Sequence, residues 1–113
     1  MSHLSILPTV FTRLDLLETA LGLEGFEVVR HGLLPDFDRP SRPVDLLALR
    51  DGSRPLGWTI DDRGVIRLHG DLQRMQGLPP RLQRITRRYA LLSAIDSLRT
   101  LELPTAEISI GQC

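Results

Sequence analysis

Two turn signals, ten residues apart, constrain this chain more than anything else in its sequence. Asp51-Gly52-Ser53 and Asp61-Asp62-Arg63-Gly64 separate three short segments, Val44–Leu49, Leu56–Ile60 and Val65–His69. Each segment is rich in β-branched or other apolar residues, and the last one alternates. Turns this short leave no room for the crossover that a parallel pair requires, so the three segments must form an antiparallel meander. A meander has an apolar face to bury, and the rest of the chain has to supply the cover.

The flanking segments supply it. Ser2 to Ile6 alternates and reads as a first strand stopped by Pro8. Leu14, Leu17 and Leu21 then fall on one helical stripe. Thr12 and Asp15 stand at capping spacing and Gly22 is a natural terminator, which predicts a helix over residues 13–22. Phe26–Arg30 reads as a strand. From His31 to Pro43 three prolines and alternating charges erase any period, which predicts a loop. Leu78-Pro79-Pro80 opens a long amphipathic helix, because proline is welcome in a first turn. Its apolar positions Leu82, Ile85, Tyr89, Leu92, Ile95 and Leu98 follow steps of three and four, and Leu103-Pro104 is expected to end it near Leu101. Ala106–Ile110 alternates and reads as a closing strand. The expected architecture is one α+β domain over residues 1–113, a mostly antiparallel sheet of five or six strands with two helices packed on one face. The other face is left for solvent or a partner.

Composition narrows the function classes. The 113 residues are 42% apolar and 25% charged, ordinary for a globular domain, and aromatics are few, so the core must be mostly Leu, Ile and Val. Net charge is zero, so no global field draws the protein to nucleic acid or to an anionic membrane. All fourteen basic residues are Arg, planar and permanently charged donors, a pattern that a GC-rich genome would also produce. The single cysteine, Cys113, permits no intrachain disulfide and suits a reducing compartment. No apolar run is long enough to cross a membrane, and no signal-peptide pattern opens the sequence. A cytoplasmic setting is expected.

Catalytic chemistry finds little support. Asp61 and Asp62 are adjacent and look like turn residues, the glycines form no phosphate-cradling loop, and no nucleophile elbow is present. His3, His69 and Asp71 could form a ligand or metal site if their strands converge, but no metal-binding spacing demands it. Cofactors are expected to be none. The most concrete feature is a basic ridge. Arg81, Arg84 and Arg88 fall at i, i+3 and i+7 on the long helix, with Arg87 beside them. Such a ridge suits an acidic protein surface, whereas the absence of interleaved aromatics argues against nucleic acid. Trp58, the only Trp, belongs to the core or, if it faces the uncovered side of the sheet, becomes an interface anchor.

Several short motifs occur in a familiar order: Met1-Ser2-His3-Leu4-Ser5, Leu14-x-x-Leu17, Val44-Asp45-Leu46, Leu56-Gly57-Trp58, Asp71-Leu72 and Arg88-Tyr89-Ala90. Over about residues 1 to 100 the chain resembles the family known as hypothetical chloroplast reading frame thirty-five. The proline-rich Leu34–Pro43 stands where that family carries a Gly-Tyr-x-Gly-Gln-like stretch, and Gln73-Arg74 where it commonly has Trp-Gly. The resemblance implies no activity. It implies a cyanobacterial or plastid-like setting, an accessory role near photosynthesis, and His3, Asp45, Trp58, Asp71 and Tyr89 as matching positions.

The expectation is therefore a non-enzymatic accessory or adaptor protein that binds a protein partner through Arg81, Arg84, Arg88 and Trp58, with a homodimer open through exposed strand edges. The alternative is a ligand- or metal-binding module using His3, His69 and Asp71.

Overall fold

The computed structural model describes residues 5–36, 39–71 and 78–112, with residues 36, 39 and 100–112 described as backbone. In chain order the elements are β1 (Ser5–Pro8), α1 (Leu14–Leu23), β2 (Glu27–Arg30), β3 (Leu33–Asp36), β4 (Arg39–Pro43), β5 (Leu46–Leu49), β6 (Leu56–Ile60), β7 (Ile66–Gly70) and α2 (Leu78–Gln112). The fold is α+β. The meander read from the two turn signals is β5-β6-β7, extended at its two edges into an antiparallel five-stranded sheet of order β1-β7-β6-β5-β2. Gly52 and Gly64 supply the positive φ, +74° and +81°, that these tight turns require.

Alternation assigns each side chain to a face. Leu46, Ala48, Leu56, Trp58, Ile66 and Leu68 point to one side and join Leu17, Ala20, Leu21, Leu78, Ile85 and Tyr89 in the main core. Both helices cover this inner face. Trp58 is fully buried there, 0% exposed. It is a core residue and not the interface anchor considered from the sequence, because its strand register opposes it to Leu46 and Leu68, both on the helix-covered side.

The segment from His31 to Pro43 is not a loop. The register of β2 on β5, in which Arg30 opposes Leu46, continues through a hydrogen bond from His31 N to the Asp45 carbonyl and one from Val44 N to the Gly32 carbonyl. It then runs on into β3 and β4, where Leu33 opposes Pro43. Together these strands form one long hairpin whose far half folds over the outer face of the sheet. His31 takes a left-handed φ of 56° at the bend. Leu34 and Val44 thereby meet Leu47, with Leu49 beside them, in a second small core. The prolines hid this ribbon: it is a two-stranded sheet, where missing N–H donors are tolerated.

Two glycines permit the overlap. A Cβ on Gly57 would lie 2.7 Å from Val44 Cγ1, and one on Gly32 would lie 2.7 Å from Leu47 Cβ. Neither glycine has a positive φ, so close approach alone requires them.

Both termini differ from expectation. Pro8 is the last residue of β1, opposite Arg67, where an edge position tolerates proline; residues 2–4 lie outside the described residues. Helical backbone continues through Pro104 to Gln112, so Ala106–Ile110 is not a strand. Ala106 and Ile110 are also i, i+4, and an alternation of five residues cannot by itself separate the two periods. Among the described residues no helix is long and apolar enough to cross a membrane.

Replacing Gly57 by Ala is expected to cost about 1–3 kcal/mol through overpacking against Val44. Adding Val44→Ala should make the double variant less destabilised than the sum of the two single changes, as read from urea unfolding. Strict additivity would show that the ribbon does not rest on Gly57.

Candidate interaction surface on the second helix

The rotation of α2 about its own axis decides what it presents to the outside, and Tyr89 sets that rotation. The Tyr89 ring is 7% exposed and packs against Phe11 with centroids 4.7 Å apart and planes tilted by 57°. Its hydroxyl accepts hydrogen bonds from Thr12 N at 3.0 Å and Arg13 N at 3.1 Å. These N–H groups sit at the entry to α1. Arg13 occupies the N-cap with no side-chain cap bond, and Asp15, expected to pair with Thr12 as a cap, binds the Arg13 guanidinium instead. At the other end of α1, Gly22 lies inside the helix, and Gly25 takes the left-handed φ of +86° that ends it.

Leu78, Ile85 and Tyr89 are buried, and Leu82 and Leu92 are partly buried against the same core. The apolar pattern read from the sequence does not stay on this face. A helix turns about 100° per residue, so each step of three residues falls short of a full turn by about 60°. Tyr89 to Leu92, Ile95 and Leu98 is three such steps in succession. The pattern therefore winds off the core face, and Ile95 and Leu98 are 43% and 57% exposed. Leu91, 59% exposed, joins them at i, i+4 and i+7 on the side of α2 turned away from the sheet.

The basic ridge lies along the same outer side, and the structure divides its members. Arg84 Nε donates to Glu24 Oε1 at 2.9 Å, and Arg88 Nε donates to Glu24 Oε2 at 3.0 Å. Glu24, at the C-terminal cap of α1, is nearly enclosed, its side chain 9% exposed. Arg88 first, then Arg84, holds its carboxyl below the usual carboxylate range. These two arginines thus tie α2 to α1, while half of each side chain still faces solvent. Arg81 is half-buried, and its Nε is sealed from solvent without a partner among the described residues. Arg87 is exposed. A shallow groove of about 240 Å³ runs between Glu24, Arg84, Arg87, Arg88 and Leu91. The sequence reading missed Glu24, which lies on another helix, and Leu91, which is off the core stripe. A further ion pair, Arg13 with Asp96, holds α2 to the start of α1.

Two members of the alternative site, His69 and Asp71, are among the described residues. His69 projects to the outer face, 5% exposed, and its Nε2 lies 2.8 Å from Thr59 Oγ1. Its Nδ1 is buried with no partner among the described residues. Asp71 is bound by Arg54 Nη1 at 3.1 Å. His3 lies outside the described residues. Among the described residues no group of three or more His, Cys, Asp or Glu side chains is placed to hold a metal ion. Asp45 has a local role, accepting from Ile60 N at 2.8 Å.

No family model matches the chain, no curated protein matches it, and no solved structure matches it.

Burial first, then Arg42 on the ribbon and Arg67 on its own strand, pushes the His69 pKa below its ordinary 6.5. Gly57 and Ile6, its neighbours across the register, and Thr59, its hydrogen-bond partner, carry no charge. The unfolded chain therefore takes up this proton at higher pH than the folded one. The contribution of His69 is complete above 6.5 and is lost as pH falls below that value. Urea midpoints measured across pH should show this decline in the parent protein and a flatter profile in His69→Gln. The Glu24 contribution is lost only below its ordinary 4.5, so the two windows separate.

Proposed function

We propose that this chain is a non-enzymatic accessory or adaptor protein that binds a protein partner through the outer side of α2. One observation carries the reading: Leu91, Ile95 and Leu98 form an exposed apolar stripe on the helix side turned away from the core. A scattered exposed leucine needs no explanation, but three in register on one face amount to a surface built for burial. Arg84, Arg87 and Arg88 continue this surface toward the start of the helix. Apolar contacts would supply affinity there, and the guanidinium groups would supply register and a preference for acidic partners. The reading differs from the sequence expectation in its anchors: Leu91, Ile95 and Leu98 take the place of Trp58, and Arg87 that of Arg81.

The motif resemblance favours a role beside photosynthesis or ferredoxin-linked metabolism, and the cysteine usage and Arg-only composition favour the cytoplasm of a bacterium.

A tagged chain used as bait in a lysate of its host tests the proposal. The control bait carries Leu91→Glu and Leu98→Glu, both at exposed positions, so circular dichroism should show an unchanged fold. A stoichiometric protein captured by the parent and lost from the control is the expected result. Capture that survives both substitutions would move the binding surface elsewhere on the molecule.

A further inference from the structure

We propose that the free edge of β2 docks a second copy of the chain, the two β2 strands pairing antiparallel about a two-fold axis through Val29. The proposal rests on backbone hydrogen bonding and not on the α2 surface, so it stands or falls apart from the reading above.

The two edges of the five-stranded sheet differ. Thr9 N donates to the Ile66 carbonyl, so alternation turns Ile6 and Pro8 of β1 outward, and Pro8 has no N–H to offer. Proline blunts that edge against pairing. β2 carries no proline. His31 N donates to the Asp45 carbonyl, so Val29 and Glu27 also face β5. Val28 and Arg30 then turn their N–H and C=O groups away from the sheet. Among the described residues nothing bonds these four groups. Unpaired groups along a strand edge are a template for another strand.

A two-fold axis leaves one register. An antiparallel pair joins outward residues to outward residues, so the axis must pass through a residue of β2. At Glu27 or Val28 it would set an outward residue opposite Phe26, whose N–H is already given to the Leu21 carbonyl. At Arg30 it would set Arg30 against itself and Val28 opposite Gly32, whose carbonyl already accepts from Val44 N. At Val29 each Val28 meets Arg30 of the other copy, and every outward group of both strands gains a partner.

The side chains fit the same register. Val29, 38% exposed, meets its own copy, and β-branched pairs of this kind support antiparallel strands. Glu27 comes opposite His31, a carboxylate acceptor against an imidazole N–H, and both are exposed in the single chain. Arg30 comes opposite Val28 with its charge already matched by Glu18, 2.6 Å away. No like charges oppose one another across the seam. An isologous contact uses one edge twice and closes on itself, here joining two five-stranded sheets into one.

Amide exchange read residue by residue in the parent protein tests the register. Glu27 and Val29 should be protected at every concentration, because they bond β5 in either state. Val28 and Arg30 should be protected by about tenfold or more in the dimer and lose that protection on dilution. Sedimentation equilibrium at submillimolar concentration should show twice the 12.7 kDa chain mass. Val29→Glu sets two carboxylates against each other and should return the chain to monomer, with an unchanged circular dichroism spectrum. In a Cys113→Ser background, Val29→Cys should form a disulfide at the axis, since the Cα atoms of such a facing pair lie about 4.5 Å apart. Leu91→Glu with Leu98→Glu should leave this dimer intact. A monomer at every concentration overturns the proposal. So does a dimer in which Val28 and Arg30 exchange freely, or one that survives Val29→Glu. Loss of the dimer with Leu91→Glu and Leu98→Glu overturns it too, and moves self-association onto α2.

Discussion

The hydroxyl of Tyr89 is the contact on which the rest of this architecture turns. Its ring is committed to the core beside Phe11, and its oxygen receives the two backbone N–H groups at the entry to α1. A residue that satisfies both demands can sit at only one rotation of α2. That rotation directs Ile85 and Leu82 inward, brings Arg84 and Arg88 to Glu24, and leaves Leu91, Ile95 and Leu98 outside. The cap that α1 lacks from its own side chains is thus supplied by the other helix, and the interaction surface follows as a geometric consequence.

Both faces of the central sheet are covered, by different means. The helices cover the inner face over Trp58. The outer face is covered in part by the chain's own bent hairpin, seated on Gly57 and holding Leu34 and Val44 against Leu47. The sheet face expected to be open to a partner is therefore partly occupied from within. Among the described residues, α2 carries an exposed apolar stripe and three arginines on one side.

The sequence made the meander legible because two turns, each carrying a required glycine, left one way to connect the segments between them. It made the start of α2 legible through Pro79 and Pro80, and the inner face through Leu82, Ile85 and Tyr89. The β3–β4 ribbon was not legible, since Pro35, Pro40 and Pro43 argue against any strand except one with free edges. Glu24 was invisible as the partner of Arg84 and Arg88 because sixty residues separate them along the chain. The drift of the apolar pattern was in the sequence all along. Three successive steps of three leave a helical face, and a pattern accepted in steps of three and four conceals that loss.

Thiol accessibility along α2 tests the central claim, that this helix has an inner face fixed by Tyr89 and an outer face open to a partner. Single cysteines at Leu82, Ile85, Leu91, Leu92, Ile95 and Leu98, in a Cys113→Ser background at high dilution, would each be reacted with a small maleimide. The account predicts fast labelling at 91, 95 and 98, slow labelling at 85, and intermediate rates at 82 and 92. Protection that continues through 92, 95 and 98, with 91 alone reactive, would show one unbroken core stripe and contradict it.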